Sequence, residues 1–154
     1  MDEKFRAHVE ALAPACQALL AASPISPSGS KSIPTAGGVY LFVEDGKPLY
    51  IGRSRQLRRR YAFHCSGRDN QATFAFILAR QASNYTEVTY KKGDGTRAWL
   101  MRQELFLSAF IQSKERIRNM SFQWVVEEDP VRQALLEIYC SIALDTPHNS
   151  FKTT

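Results

Sequence analysis

GVYLFVEDGKPLYIGRSRQLRRRYAFH, residues 38–64, is the stretch that decides the fold. Two apolar runs, Val39–Val43 and Pro48–Gly52, alternate with a strand period on either side of Asp45-Gly46, a strong hairpin-turn signal. Alternation puts Val39, Leu41 and Val43 on one face and Tyr40 and Phe42 on the other. In the second run Leu49 and Ile51 share a face, with Tyr50 opposite. A three-residue loop, Glu44-Asp45-Gly46, with Gly46 left-handed, predicts Tyr40 across from Tyr50, Leu41 across from Leu49 and Val39 across from Ile51. A two-residue loop would throw the aliphatic side chains onto opposite faces, and a slip of one residue costs the core, so the longer loop is expected. The expected hairpin has one buried aliphatic face and one face carrying two tyrosines.

The chain then runs into a basic helix, expected to start near Ser54 as N-cap. Leu57, Tyr61 and Cys65 fall on one stripe, and Gln56, Arg60 and His64 on the next. Five of the 20 basic residues, Arg53, Arg55, Arg58, Arg59 and Arg60, lie in this short segment. A tyrosine pair beside an arginine and a histidine on one helical face points to a phosphate site. Arg53, Arg55, Arg58 and Arg59 are expected to add substrate contacts, and Gly52 to let the helix start approach a phosphate closely.

A chain of 154 residues fits one domain with a proper core, and the domain is expected to span 1–154. The net charge of +5 and pI of about 9.3 permit polyanion binding, and the clustering of the arginines says more than the total. Cys16, Cys65 and Cys140 are few, far apart and without zinc spacing, which predicts a reducing compartment and no structural zinc. The N-terminus is too charged for a signal peptide, and no apolar run reaches the length of a membrane span. A cytoplasmic protein with no membrane partner is expected.

Residues 3–22 read as an amphipathic helix that Pro14 kinks or splits, and 23–37 as a Pro/Ser/Gly-rich loop whose length hints at mobility. Ala72–Ala82 is an apolar helix, and Tyr85–Tyr90 a short strand or extended link. Thr96 caps the longest helix, 97–119, striped by Trp99, Phe106, Ala109, Phe110 and Ile117. Phe122–Val126 is the third strand. Asp129-Pro130 starts a last helix whose core stripe is read as Val131, Leu135, Ile138 and Ile142. Glu137 sits one step off that stripe, at the core's edge, where a carboxylate is costly unless paired or bound to metal.

Gly38-Val39-Tyr40, then Tyr50-Ile51-Gly52, then Arg60 ten residues after Tyr50, resembles the GIY-YIG nuclease family. That family also has a glutamate on a later helix and an asparagine after it. LLEIYCSIALDTPHNSF, residues 135–151, supplies them as Glu137 and Asn149. The resemblance covers residues 37–65 and 121–151. It implies an α/β (α+β) fold: a small three-stranded, mainly antiparallel sheet flanked by helices. Here an N-terminal helix and a long inserted helix, about 96–119, are added to a catalytic core over 38–151.

The resemblance implies a metal-dependent endonuclease that hydrolyses DNA phosphodiester bonds at one site. Glu137 would hold a single Mg²⁺ or Mn²⁺, hard cations that accept one carboxylate and keep most of their waters. Tyr40 would hold or deprotonate the attacking water, Tyr50 position water or phosphate, and Arg60 bind the scissile phosphate. His64 would assist proton transfer or contact phosphate, and Asn149 would tie the segment after the helix back to the site.

Each residue also has an ordinary reading. Tyr40 and Tyr50 alone are a common cross-strand pair, and an arginine run is often just a solvated helix face. Glu104 is a rival carboxylate, without a following asparagine at the Glu137–Asn149 interval. Two further functions stay open. One is a non-cleaving nucleic-acid-binding module that tracks phosphates with Arg53–Arg60, its binding salt-sensitive and indifferent to Glu137→Ala. The other is a protein-interaction scaffold without nucleic-acid affinity.

Overall fold

Asp45 and Gly46 both take left-handed backbone, with φ of 51° and 76°, and so form a two-residue turn. It joins β1 (Gly38–Glu44) to β2 (Lys47–Ser54) in a computed structural model that describes residues 1–25, 27–85 and 93–152. The three-residue loop expected from the sequence is not used. Glu44 pairs with Lys47, and the extra residue is absorbed by an irregularity between Phe42 and Val43. Beyond it Phe42 faces Tyr50, Leu41 faces Ile51 and Tyr40 faces Gly52. The expected register is therefore wrong by two residues. An even shift leaves each side chain on its expected face, because strand side chains alternate with period two.

β3 (Ser121–Val126) pairs antiparallel along the other side of β1, so the sheet order is β2-β1-β3. One face packs Val39, Leu41 and Ile51 against Cys16 and Leu19 of α2 (Leu12–Ala21) and Leu136 and Cys140 of α7 (Pro130–Ala143). The other face is aromatic, with Tyr40, Phe42 and Phe122 at ring-centroid separations of 5.0–5.9 Å. α1 (Glu3–Glu10) ends at Ala11 and α2 follows with Pro14 in its first turn, the expected split.

Asp129 caps α7 through the amides of Val131 and Arg132, with Pro130 in the first turn. The buried face of α7 corrects the sequence reading. Gln133, Leu136, Cys140 and Ser141 are buried, whereas Val131 is 55% and Ile142 74% exposed. Two things favour this rotation. The Gln133 amide donates to the carbonyls of Ser54 and Glu127, and the small Cys140 and Ser141 let the helix lie close.

The loop expected to be mobile is pinned at several points. Ile25 donates to the Phe122 carbonyl at 3.0 Å, and Ile33 is fully buried. The chain also forms a short 3₁₀ turn over Pro27–Ser32. The carbonyls of Pro34 and Ala36 accept the first amides of α3 (Leu57–Ser66), those of Arg58 and Leu57. The helix thus begins two residues later than a Ser54 cap would give. The Ser54 hydroxyl instead closes a local turn with Gln56.

The chain forms two compact units, residues 1–60 with 120–154, and residues 61–119. In the second, α4 (Thr73–Ala82) packs on α6 (Glu104–Arg118) through Phe76, Phe106 and Phe110. The continuous helix expected over 97–119 is two helices, α5 (Arg97–Leu100) and α6. Thr96 caps α5, and Gln103 leaves helical geometry (ψ 123°) while its side chain donates to the Trp99 carbonyl. Of the stretch expected as a strand or link over 85–90, residues 86–90 lie outside the described residues. Among the described residues, no helix is long and apolar enough to cross a membrane.

Candidate active site

Tyr40 stands on the central strand, directly opposite Gly52. A Cβ on Gly52 would lie 2.2 Å from both Cζ and the hydroxyl oxygen of Tyr40. The ring therefore occupies the space that any other residue at 52 would fill. This replaces the reason expected for Gly52: the close approach is by a phenol of the same sheet. Arg60, on the first turn of α3, donates from Nε to the Tyr40 hydroxyl at 3.3 Å. Tyr50 lies on β2 opposite Phe42, with 9% of its surface exposed against 1% for Tyr40.

Burial raises the Tyr40 phenol well above the usual range, and Tyr50 adds to it, while Arg60 pulls the other way without overcoming them. Burial also raises Tyr50, again opposed by Arg60 and reinforced by Glu137. For Arg60, burial works against the charge, but Tyr40, Tyr50 and Glu137 together outweigh it and the guanidinium stays protonated. Two phenols and a guanidinium from the first half of the chain thus lie within electrostatic reach of a carboxylate from the last helix.

Burial raises the Glu137 carboxyl above its ordinary value, with Arg53 and Arg60 offsetting part of the shift. Arg53 Nε donates to Glu137 Oε2 at 2.9 Å. Both residues line an open cleft of about 700 Å³, together with Arg55 and Gln133. A half-buried carboxylate at the wall of an open cleft offers a hard divalent ion an oxygen ligand. Among the described residues no group of three or more His, Cys, Asp or Glu could enclose a metal. An ion here would take Glu137, waters and substrate oxygens.

Asn149 acts as a piece of β-strand. Its Oδ1 accepts the Ile51 amide at 2.9 Å, and its Nδ2 donates to the Ile51 carbonyl at 2.8 Å. The Thr146 hydroxyl donates to the same Oδ1 at 2.8 Å and fixes the amide's orientation. The segment after α7 is thereby fastened to the middle residue of Tyr50-Ile51-Gly52. Asn149→Ala removes both bonds and is expected to lower stability by about 1–3 kcal/mol, read as a shift in the urea midpoint.

A family model of the GIY-YIG catalytic domain matches residues 36–116, just over half of the 154-residue chain. The chain belongs to the GIY-YIG family. Two solved structures of the GIY-YIG N-terminal endonuclease domain of UvrC from Thermotoga maritima are similar to it, with TM-scores of 0.41 and 0.40. Both are point mutants with the catalytic divalent cation bound. They share 15% and 14% identity with the chain, and each match covers 80% of this chain and 92% of the other. Among curated proteins none matches.

The GIY-YIG match ends before α7, so the link of Glu137 and Asn149 to the motif comes from the fold: Asn149 bonds Ile51, and Glu137 acts electrostatically on both tyrosines. The other expected contributors differ in their surroundings. His64 is fully buried, as Tyr40 nearly is, and belongs to the second unit. Arg58 is committed to the loop: its Nε donates to the Ile33 carbonyl at 2.7 Å and its Nη2 to that of Lys31 at 2.9 Å. Arg53, Arg55 and Arg59 are exposed. Two residues that contact the site escaped sequence reading, Thr146 through Asn149 and Gln133 through the cleft wall. Thr146 could have been found from its three-residue spacing to Asn149, whereas nothing local marks Gln133.

Proposed function

We propose that the protein is a metal-dependent endonuclease that hydrolyses DNA phosphodiester bonds at a single site. One observation supports this above the rest. The Arg60 guanidinium donates to the Tyr40 phenol, and the Glu137 carboxylate of a distant helix bears electrostatically on both. An ordinary cross-strand tyrosine pair needs neither.

Arg60 binds the scissile phosphate and stabilises the charge that builds on it, as a guanidinium matches phosphate in shape and charge. Tyr40 stays protonated at neutral pH, because burial holds its hydroxyl far from ionisation. Its hydroxyl therefore orients the attacking water rather than acting as a standing phenolate. Tyr50 positions water or phosphate beside it. A divalent cation held by Glu137, Mg²⁺ or Mn²⁺, would supply acidification of the attacking water and neutralisation of the phosphate charge. Arg55 and Arg59 track the flanking phosphates, giving salt-sensitive binding.

The test is nicking of supercoiled plasmid with Mg²⁺ or Mn²⁺. Arg60→Ala is expected to slow cleavage by roughly 10²–10³-fold. Full activity in both Arg60→Ala and Glu137→Ala would remove the proposal. Salt-sensitive binding without cleavage at any metal concentration would replace it with the non-cleaving module.

A further inference from the structure

The proposed chemistry does not require the contact between Arg53 and Glu137. Arg53 leaves β2 opposite Val39, and its Nε meets Glu137 Oε2 at 2.9 Å, with side chains 45% and 22% exposed. An oxygen that a hard divalent ion would seek is thus already held by a cation of the same chain. The pair is open to solvent, so it can part: exposed ion pairs bias an equilibrium by roughly fivefold at most. Arg53 also lines the cleft beside Arg55, where a backbone phosphate offers its guanidinium a better-matched, bidentate partner.

We infer that Arg53 competes with the divalent cation for Glu137, and that a nucleic-acid phosphate entering the cleft draws Arg53 away and opens the carboxylate. This rests on the assignment of Glu137 under the proposed function. Nucleic acid and metal then bind cooperatively, each raising the affinity for the other by up to about fivefold. Linkage makes the effect reciprocal: whatever factor the nucleic acid adds to metal affinity, the metal adds to nucleic-acid affinity.

The experiment measures Mn²⁺ affinity of the whole protein by the electron paramagnetic resonance signal of free Mn²⁺, with and without a short phosphorothioate DNA duplex. Arg53→Gln is expected to bind Mn²⁺ roughly fivefold more tightly than wild type without DNA, and to gain correspondingly less when duplex is added. Arg53→Lys keeps a cation beside Glu137 and is expected to remain near the wild-type value. Glu137→Gln is expected to lose Mn²⁺ binding in both arms. If Arg53→Gln binds Mn²⁺ no better than wild type while Glu137→Gln loses it, the competition is overturned and the site assignment stands. If Glu137→Gln binds Mn²⁺ as wild type does, the assignment itself falls, and the competition with it.

Discussion

Glu137→Gln is expected to abolish cleavage, by roughly a thousandfold or more, in a protein at least as stable as wild type at neutral pH. The loss follows from exchanging a carboxylate for a neutral amide at the cleft wall, while nucleic-acid binding through the proposed contacts of Arg55 and Arg59 is expected to persist. Plasmid nicking and a gel-shift titration read the two effects separately. The stability follows from the sign of the Glu137 shift, which is upward because of burial. The fold prefers the protonated form. The stability tied to that preference is fully present below the unfolded carboxyl's value of about 4.3 and is lost as pH rises through the folded value. At neutral pH the charged side chain therefore costs stability, and glutamine removes the cost. Urea midpoints at neutral pH and below about pH 4 check it, the wild type gaining on the variant as the pH falls. A lower neutral midpoint for Glu137→Gln would mean that the Arg53 pair outweighs burial.

Gly52→Ala is expected to lower stability and cleavage together, although it adds a single carbon. The backbone at 52 is not left-handed, so alanine meets no conformational objection there. What it meets is the Tyr40 ring, 2.2 Å away at two atoms. Tyr40 is fully buried and stacked against Phe42 and Phe122, so it cannot step aside without disturbing the aromatic face. Overpacking of this kind costs about 1–3 kcal/mol. It also moves the hydroxyl that Arg60 contacts, so cleavage falls together with stability. Tyr40→Phe separates the two effects. It keeps the ring and loses only the hydroxyl, and is expected to fold normally and cut on the order of 10²-fold more slowly or worse. A stable, active Gly52→Ala protein would show that the phenol's position at Gly52 does not matter.

Much of this site was legible because its parts are short and local. The spacing of Tyr40, Tyr50 and Arg60 can be read from one hairpin and one helix, and Glu137 can be placed on a helix at the core's edge. Misreadings arose where a distant partner decides the outcome. The hairpin register turned on where one extra residue is absorbed. Pro48, which cannot donate to a strand ladder, was the available hint that the irregularity sits next to it. The rotation of α7 turned on the Gln133 amide reaching carbonyls at Ser54 and Glu127, which no helical period encodes. Arg58 looked like its neighbours in the run, yet its guanidinium spans 25 residues of sequence to reach Ile33. The break between α5 and α6 falls in a segment without glycine or proline, where local signals favour continuing the helix.

A small sheet has two outer strands, and each offers unused amides and carbonyls to any passing chain. Here each is blocked at one point, β2 near its middle and β3 near its start. The Asn149 side chain consumes both backbone groups of Ile51 on β2, and Ile25 consumes the Phe122 carbonyl on β3. The segments that do this lie near opposite ends of the chain, about a hundred residues from the strand each one blocks. Losing the C-terminal segment would therefore uncover a template for intermolecular strand addition while the core stays intact, whereas losing the N-terminal one would also strip Cys16 and Leu19 from the core.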